Sequence, residues 1–313
     1  MSRSIAVVVG PSSSQVGSAV CELLEVTPVP CAWERFPDGE MLVELRETVR
    51  GKDVFVMQAT RPPVEQHLME LLCLADACRR AGAARLTAVI PYLGYARQDR
   101  RSGRQSLGAR VIADVIETAG FDRLMLIDAH TPAIEGFFRV PIEHLTAVPL
   151  LAQAALQSMR EHSVVVAPDL GAVKRAREYA RLLSVPVAFV QKTRLSGERV
   201  EAHQVVGTVH GRAPLVIDDM VSTGGTIDAA VRALRAAGAA GPFTLAATHA
   251  LLVGRAHEVL AALELSRMLV TDTVPVDRQR LPDIEIVSVA PLIATAIRRD
   301  ASDESLTDLR APA

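Results

Sequence analysis

The chain has 313 residues, 49% hydrophobic and 22% charged, an ordinary globular composition with enough length for two domains. A formal net charge of −2 and an aromatic share of 4% supply neither a strong cationic field nor many stacking platforms, so no nucleic-acid or membrane partner is expected. No apolar run reaches the roughly 18 residues of a membrane span, no signal peptide is read at the start, and Cys21, Cys31, Cys73 and Cys78 lack metal-ligand spacing, which predicts reduced core thiols and a cytoplasmic location.

Apolar runs of strand length alternate with helical patterns along the whole chain. Strands are expected at 5–9, 53–58, 86–90, 123–127, 163–167, 187–190, 215–217, 243–248, 267–271 and 284–287. Helices are expected among them at 64–81, 109–119, 147–162, 172–183 and 226–237, with a last one at 291–299. This alternation predicts an α/β fold of mainly parallel sheets flanked by crossover helices. Both halves repeat the order strand, acidic or histidine-bearing corner, helix, and no Pro/Gly/Ser-rich linker parts them. The boundary is therefore placed near 146–149, with residues 291–313 rejoining the first half and the polar tail 300–313 partly mobile.

The first chemical stretch is Phe36-Pro37-Asp38-Gly39-Glu40, a turn by composition. As a site, Phe36 suits stacking on a base while Asp38 and Glu40 accept from its amino group. After the strand at 86–90, two tyrosines lead into Arg97-Gln98-Asp99-Arg100-Arg101. Such a run has the look of a solvated loop, but a guanidinium also grips phosphate bidentately and Gln98 suits a purine edge. Asp128 and His130 stand at another strand end, where ligands bind in open α/β sheets, and Asp169 repeats the placement. Residues 190–199 read as a flexible loop, with Lys192 and Arg194 two apart and so on one side when extended. Two cations there can close over a transferring phosphoryl group.

Residues 215–226 are the most informative. Leu215, Val216 and Ile217 deliver Asp218 and Asp219 to a strand end, and Ser222-Thr223-Gly224-Gly225-Thr226 then opens an Ala-rich helix. A Gly-Gly pair can simply be a tight βα turn. Here it also lets backbone N–H groups approach an anion at the positive end of a helix, with three hydroxyls at hand. Two carboxylates just before such a cradle suit vicinal sugar hydroxyls or a Mg²⁺ attached to them. A ribose carrying a 5-phosphate satisfies both halves. No G-x-x-x-x-G-K-[ST] is present, so any ATP is not held by a P-loop.

The 218–226 motif resembles the phosphoribosyl-diphosphate loop of the type I phosphoribosyltransferase fold. With 35–40, 91–99, 128–130, 136–138, 168–169, 192–194, 270–275 and 288–299 in order, nearly the whole chain is similar to ribose-phosphate diphosphokinases. The resemblance implies two type I phosphoribosyltransferase-like domains, 1–146 on the ATP side and 147–290 on the ribose 5-phosphate side, with the active site between them. It implies the transfer of diphosphate from ATP to ribose 5-phosphate, with Mg²⁺ as cofactor, in a homo-oligomer built on a dimer. Phe36, Asp38 and Glu40 would hold adenine across a subunit interface, and Arg97 and Gln98 would contact ATP. His130 and Asp169 would lie at the metal and triphosphate. Asp218, Asp219, Ser222, Thr223, Gly224, Gly225 and Thr226 would hold ribose 5-phosphate, and Lys192 and Arg194 would stabilise the transition state.

Ser222 stands where the common bacterial pattern has Asp, and both that Ser and Lys192-Thr193-Arg194-Leu195-Ser196 resemble archaeal-type members. Ala129 replaces the usual Leu, and the segment 100–107 is shorter than the loop that helps form the allosteric site of classical bacterial enzymes, so phosphate activation, ADP inhibition and a hexamer lie outside what the resemblance implies. A phosphoribosyltransferase would need only the sugar-phosphate loop. A non-catalytic regulatory paralogue would be expected to lack the cations Lys192 and Arg194, which this chain retains.

Overall fold

Short runs rich in β-branched residues form strands, and the amphipathic stretches that follow them form helices. The computed structural model describes residues 4–194, 201–281 and 283–311, with the backbone alone for 192–194 and 201–203. It divides into two compact units. The first takes the chain up to Thr146 with Thr273–Pro275 and the stretch from Ser288 onward; the second takes Ala147–Asp272 and Val276–Val287. No helix among the described residues is long and apolar enough to cross a membrane.

The first unit runs β1 (Ile5–Val9), α1 (Ser14–Leu24), β2 (Cys31–Arg35), β3 (Met41–Leu45), β4 (Asp53–Met57), α2 (Val64–Arg80), β5 (Arg85–Ile90), α3 (Gly108–Thr118), β6 (Arg123–Ile127) and β7 (Ile142–Leu145). Five strands form a parallel sheet in the order β1-β4-β5-β6-β7, and β2 and β3 form a separate antiparallel hairpin. Alternate residues of the strands, among them Ala6, Val8, Val54, Val56, Leu86 and Ala88, bury against Leu71 and Leu74 of α2 and Ile112 and Ile116 of α3.

The second unit runs α4 (Val148–Ala155), β8 (Ser163–Ala167), α5 (Val173–Leu183), β9 (Val187–Arg194), β10 (Glu201–Val206), β11 (Ala213–Val221), α6 (Gly225–Ala236), β12 (Thr244–Ala250), α7 (Ala256–Ala261), β13 (Arg267–Thr271) and β14 (Ile284–Val287). Its seven strands lie in the order β10-β9-β8-β11-β12-β13-β14, parallel except for the β9–β10 pair. The chain leaves β8 to one side and returns to its other side at β11, which makes the gap between them a topological switch point. The strand residues sort by parity. Val164, Val166, Val216 and Leu245 pack with Ile227, Val231 and Leu234 of α6. Val165, Ala167, Leu215 and Ile217 pack with Val148 and Leu151 of α4 and Ala176 and Tyr179 of α5.

After β14, α8 (Ala290–Ala301) packs on α1 in the first unit. Its buried Asp300 pairs with Arg85 at 2.9 Å and Arg123 at 2.5 Å, and Arg85 also reaches Asp53 at 3.1 Å. The tail that follows, expected to be partly mobile, is instead tied to β7. Arg310 places two guanidinium nitrogens on Glu143 Oε2 at 2.8 and 2.5 Å, Thr146 N donates to Leu309 O and Ala311 N donates to His144 O. Its polar composition hid this anchoring, because an edge strand with free backbone groups accepts any chain that brings the right charge. All four cysteines are free thiols, and burial pushes Cys21 and Cys31 up to about 11 and Cys78 to about 12.

Candidate active site

The pentose end is built on β11. The strand expected to stop at 217 runs on to Val221, because the ladder to β12 continues through Asp218↔Ala247, Met220↔His249 and Val221↔Ala250. Asp218 and Asp219 are thus strand residues at the carboxyl end of β11, next to the switch point. Ser222 and Thr223 form the turn, and Gly224 starts α6 at φ +82° with no side-chain cap. The first N–H groups of α6 therefore point out of the helix toward any anion at the turn. A Cβ on Gly225 would meet only Thr223 Oγ1, at 3.8 Å, so the space above the helix start is open. Thr226 is exposed in the first turn. Gly224→Ala is expected to cost about 1–2 kcal/mol from its left-handed backbone, besides the 3.2 Å approach of the new Cβ to Val259 Cγ1; a thermal melt with ribose 5-phosphate titration checks both stability and site loss.

Asp169 follows β8, is exposed, and accepts from Ala172 N at 3.1 Å, which fixes the carboxylate before α5. Asp219 is buried, its Oδ1 lying 3.6 Å from Arg175 Nη1 on α5, and its N–H donates to Asp218 Oδ1 at 2.8 Å. Burial pushes the Asp218 carboxyl well above its usual range, the Asp219 carboxylate and Asp169 push in the same direction, and Arg175 opposes them. The switch point thus gathers Asp169, Asp218 and Asp219, with the Arg175 guanidinium among them. The sequence reading gave Arg175 no role. The available signal was Lys174-Arg175 in the first turn of a helix, where the dipole disfavours cations.

The residues read as nucleotide-binding lie in the first unit. Phe36, Asp38 and Glu40 form the tip of the β2–β3 hairpin, with Phe36 half-buried and both carboxylates exposed. Phe36 N donates to Glu40 O, Glu40 N to Asp38 Oδ1, and Arg35 Nη1 to Gly39 O at 2.9 Å, so the turn is internally braced. Arg97 and Gln98 are exposed in the turn after β5, which Tyr95 enters at φ +63° with its hydroxyl on Glu65 at 2.6 Å. Gln98 N donates to Tyr95 O, and Ala109 N to Gln98 O, tying the turn to α3. His130 is exposed just past β6. Beneath it, Asp128 at φ +39° accepts from Thr146 Oγ1 at 2.7 Å, and Ala129 N donates to His144 Nε2 at 2.9 Å.

The strand expected at 187–190 extends as β9 to Arg194, since β10 pairs with it through Lys192↔His203 and Arg194↔Glu201. The side chains of Lys192 and Arg194, and the rest of the expected loop from 195 to 199, lie outside the described residues. Among the described residues no group of three or more His, Cys, Asp and Glu side chains is assembled to hold a metal ion. The oxygen donors at the switch point suit a hard cation of the Mg²⁺ type, which is commonly held by one or two carboxylates together with substrate phosphates.

Residues 5–120 match the family model of the N-terminal domain of ribose phosphate pyrophosphokinase, and residues 143–271 match that of the phosphoribosyl transferase domain. The ribose-phosphate pyrophosphokinase of Staphylococcus saprophyticus is 43% identical over 284 residues, 89% of this chain and 88% of that one. That of Rhodopirellula baltica is 40% identical over 312 residues, 98% of each chain. The crystal structure of phosphoribosylpyrophosphate synthetase from Mycobacterium smegmatis has a TM-score of 0.89 and 37% identity, over 96% of this chain and 100% of that one. Fold and site define an α/β transferase with phosphoribosyltransferase-type domains. The match through the first unit sets aside a phosphoribosyltransferase alone, and the named relatives favour the catalytic reading over a regulatory paralogue. The chain belongs to the ribose-phosphate pyrophosphokinase family and is an enzyme of that type.

Proposed function

We propose that the chain transfers the β,γ-diphosphate of ATP to the anomeric hydroxyl of ribose 5-phosphate, giving 5-phosphoribosyl 1-diphosphate and AMP, with the residues above in the following roles. The observation that carries the assignment is the acidic switch point beside an uncapped Gly-Gly helix start. Ser222, Thr223, Gly224, Gly225 and Thr226 hold the 5-phosphate, and Asp218 and Asp219 serve the sugar hydroxyls. Phe36, Asp38 and Glu40 hold adenine, and Arg97 and Gln98 contact the nucleotide. His130 and Asp169 are the chain's groups for a metal-bound triphosphate. Mg²⁺, when bound, neutralises polyphosphate charge.

The anomeric oxygen forms its bond to the β-phosphorus as the bond to the α,β-bridging oxygen breaks and AMP leaves, while the hydroxyl proton is released. Phosphoryl transfer leaves the protein mainly the tasks of alignment and charge neutralisation. Lys192 and Arg194 neutralise the charge on the transferring group. The hairpin tip carrying Phe36 is exposed on a two-stranded arm, a placement that favours its contributing adenine contacts to a second copy in a homo-oligomer built on a dimer. The location read from the sequence is the cytoplasm, where both substrates are available.

Phosphorus-31 NMR of the protein with Mg²⁺, ATP and ribose 5-phosphate tests the reaction. AMP and a sugar-bound diphosphate are the expected products; orthophosphate and ADP, or no turnover, would refute it. Phe36→Ala is expected to raise the KM for ATP roughly tenfold, the worth of one stacked base, with the KM for ribose 5-phosphate unchanged in initial-rate assays.

A further inference from the structure

The two adjacent carboxylates of β11 form a linked pair, in which Asp219 N–H donates to Asp218 Oδ1 at 2.8 Å. Arg175 projects from the first turn of α5 to within 3.6 Å of Asp219, and the two side chains are only 18% and 7% exposed. A cation in the first turn of a helix is disfavoured by the dipole, so its place there is explained by the carboxylate it meets. Residues 175 and 219 are far apart in sequence and meet only because β8, which leads into α5, is the neighbour of β11.

We propose that Arg175 is a positioning residue for the pentose end of the reaction: it orients the carboxylate of Asp219, and with it the linked Asp218–Asp219 pair, toward the sugar hydroxyls. This rests on the assignment of residues 218–226 to ribose 5-phosphate. Without the guanidinium, Asp169, Asp218 and Asp219 would face one another as like charges at the same strand ends, and Asp219 would lose the partner that orients it. Arg175 itself touches no reacting atom; it acts through Asp219.

Initial-rate kinetics of R175A, R175K, D219N and the double variant R175A/D219N, with calorimetric titration of ribose 5-phosphate alone, test the proposal. R175A and D219N are expected to raise the KM for ribose 5-phosphate roughly 10- to 100-fold, the range for one lost charged contact, with the KM for ATP unchanged. R175K should recover most of the loss, and the double variant should be no worse than D219N alone, because Arg175 acts through Asp219. An unchanged KM for ribose 5-phosphate in R175A, a parallel rise in both KM values, or additive losses in the double variant would overturn it. Should R175A fail to fold, D219N and R175K carry the same comparison. Wild-type protein that gives no heat with ribose 5-phosphate would overturn the underlying site assignment, whereas wild-type binding that R175A retains in full overturns only the role of Arg175.

Discussion

Lys192→Ala is expected to lower kcat by roughly 10²-fold or more, the usual loss when one electrostatic donor to a transition state is removed, with the KM for ribose 5-phosphate near its wild-type value. The reason lies in the reaction. Diphosphate transfer passes through a loose transition state in which charge spreads over the equatorial oxygens of the β-phosphorus, so a cation that engages there stabilises the transition state more than either substrate. Lys192 stands two residues from Arg194 on β9, in register with β10, whereas the carboxylates proposed for the sugar stand on β11. The split between kcat and KM is therefore the diagnostic reading. A Lys192→Ala enzyme with near-normal turnover in the phosphorus-31 assay would remove Lys192 from the catalytic machinery.

Asp218→Asn is expected to weaken the enzyme and strengthen the fold. The carboxyl is pushed well above its usual range by burial first, then by Asp219 and Asp169, against the pull of Arg175. A folded-state pKa above the unfolded value gives stability that is complete below the unfolded value, near pH 4, and that drains away as pH rises through the folded value. The neutral Asn escapes this loss. The ligand-free variant should therefore melt higher than wild type at neutral and alkaline pH, and the advantage should shrink toward nothing as pH falls to about 4. The same change removes an anionic acceptor for sugar hydroxyls, so the KM for ribose 5-phosphate should rise about tenfold or more. Melting curves across pH on both proteins, with initial rates alongside, measure the trade directly. A melting difference that does not vary with pH would show that the Asp218 carboxyl is not strained by its surroundings.

Much of the site was legible in the amino-acid order, for a local reason. The turn Ser222-Thr223-Gly224-Gly225-Thr226 offers backbone groups and hydroxyls that are neighbours along the chain, and Gly224 at φ +82° is a position that a glycine announces. Strands 123–127, 163–167 and 267–271 were legible because buried parallel strands are continuous apolar runs. Elements held by partners were not. Trp33, Glu34 and Arg35 form β2 only through pairing with β3, and β9 continues through Lys192 to Arg194 only because β10 lies alongside. Asp218 and Asp219 are poor strand formers by composition, yet the ladder to β12 carries β11 past them.

The sequence by itself determined the alternation of strands and helices, the acidic corners Asp128, Asp169 and Asp218–Asp219, and the Gly-Gly start of α6, all of which depend on residues close along the chain. Only the tertiary structure decided the strand order, which sets β8 beside β11 and so gathers Asp169, Asp219 and Arg175 at one switch point. It alone decided that Arg175 of α5 meets Asp219 of β11, and that the polar tail is fastened by Arg310 to Glu143. Those outcomes depend on which backbone lies next to which, and distant residues become neighbours only when hydrogen-bond ladders and buried faces are satisfied together.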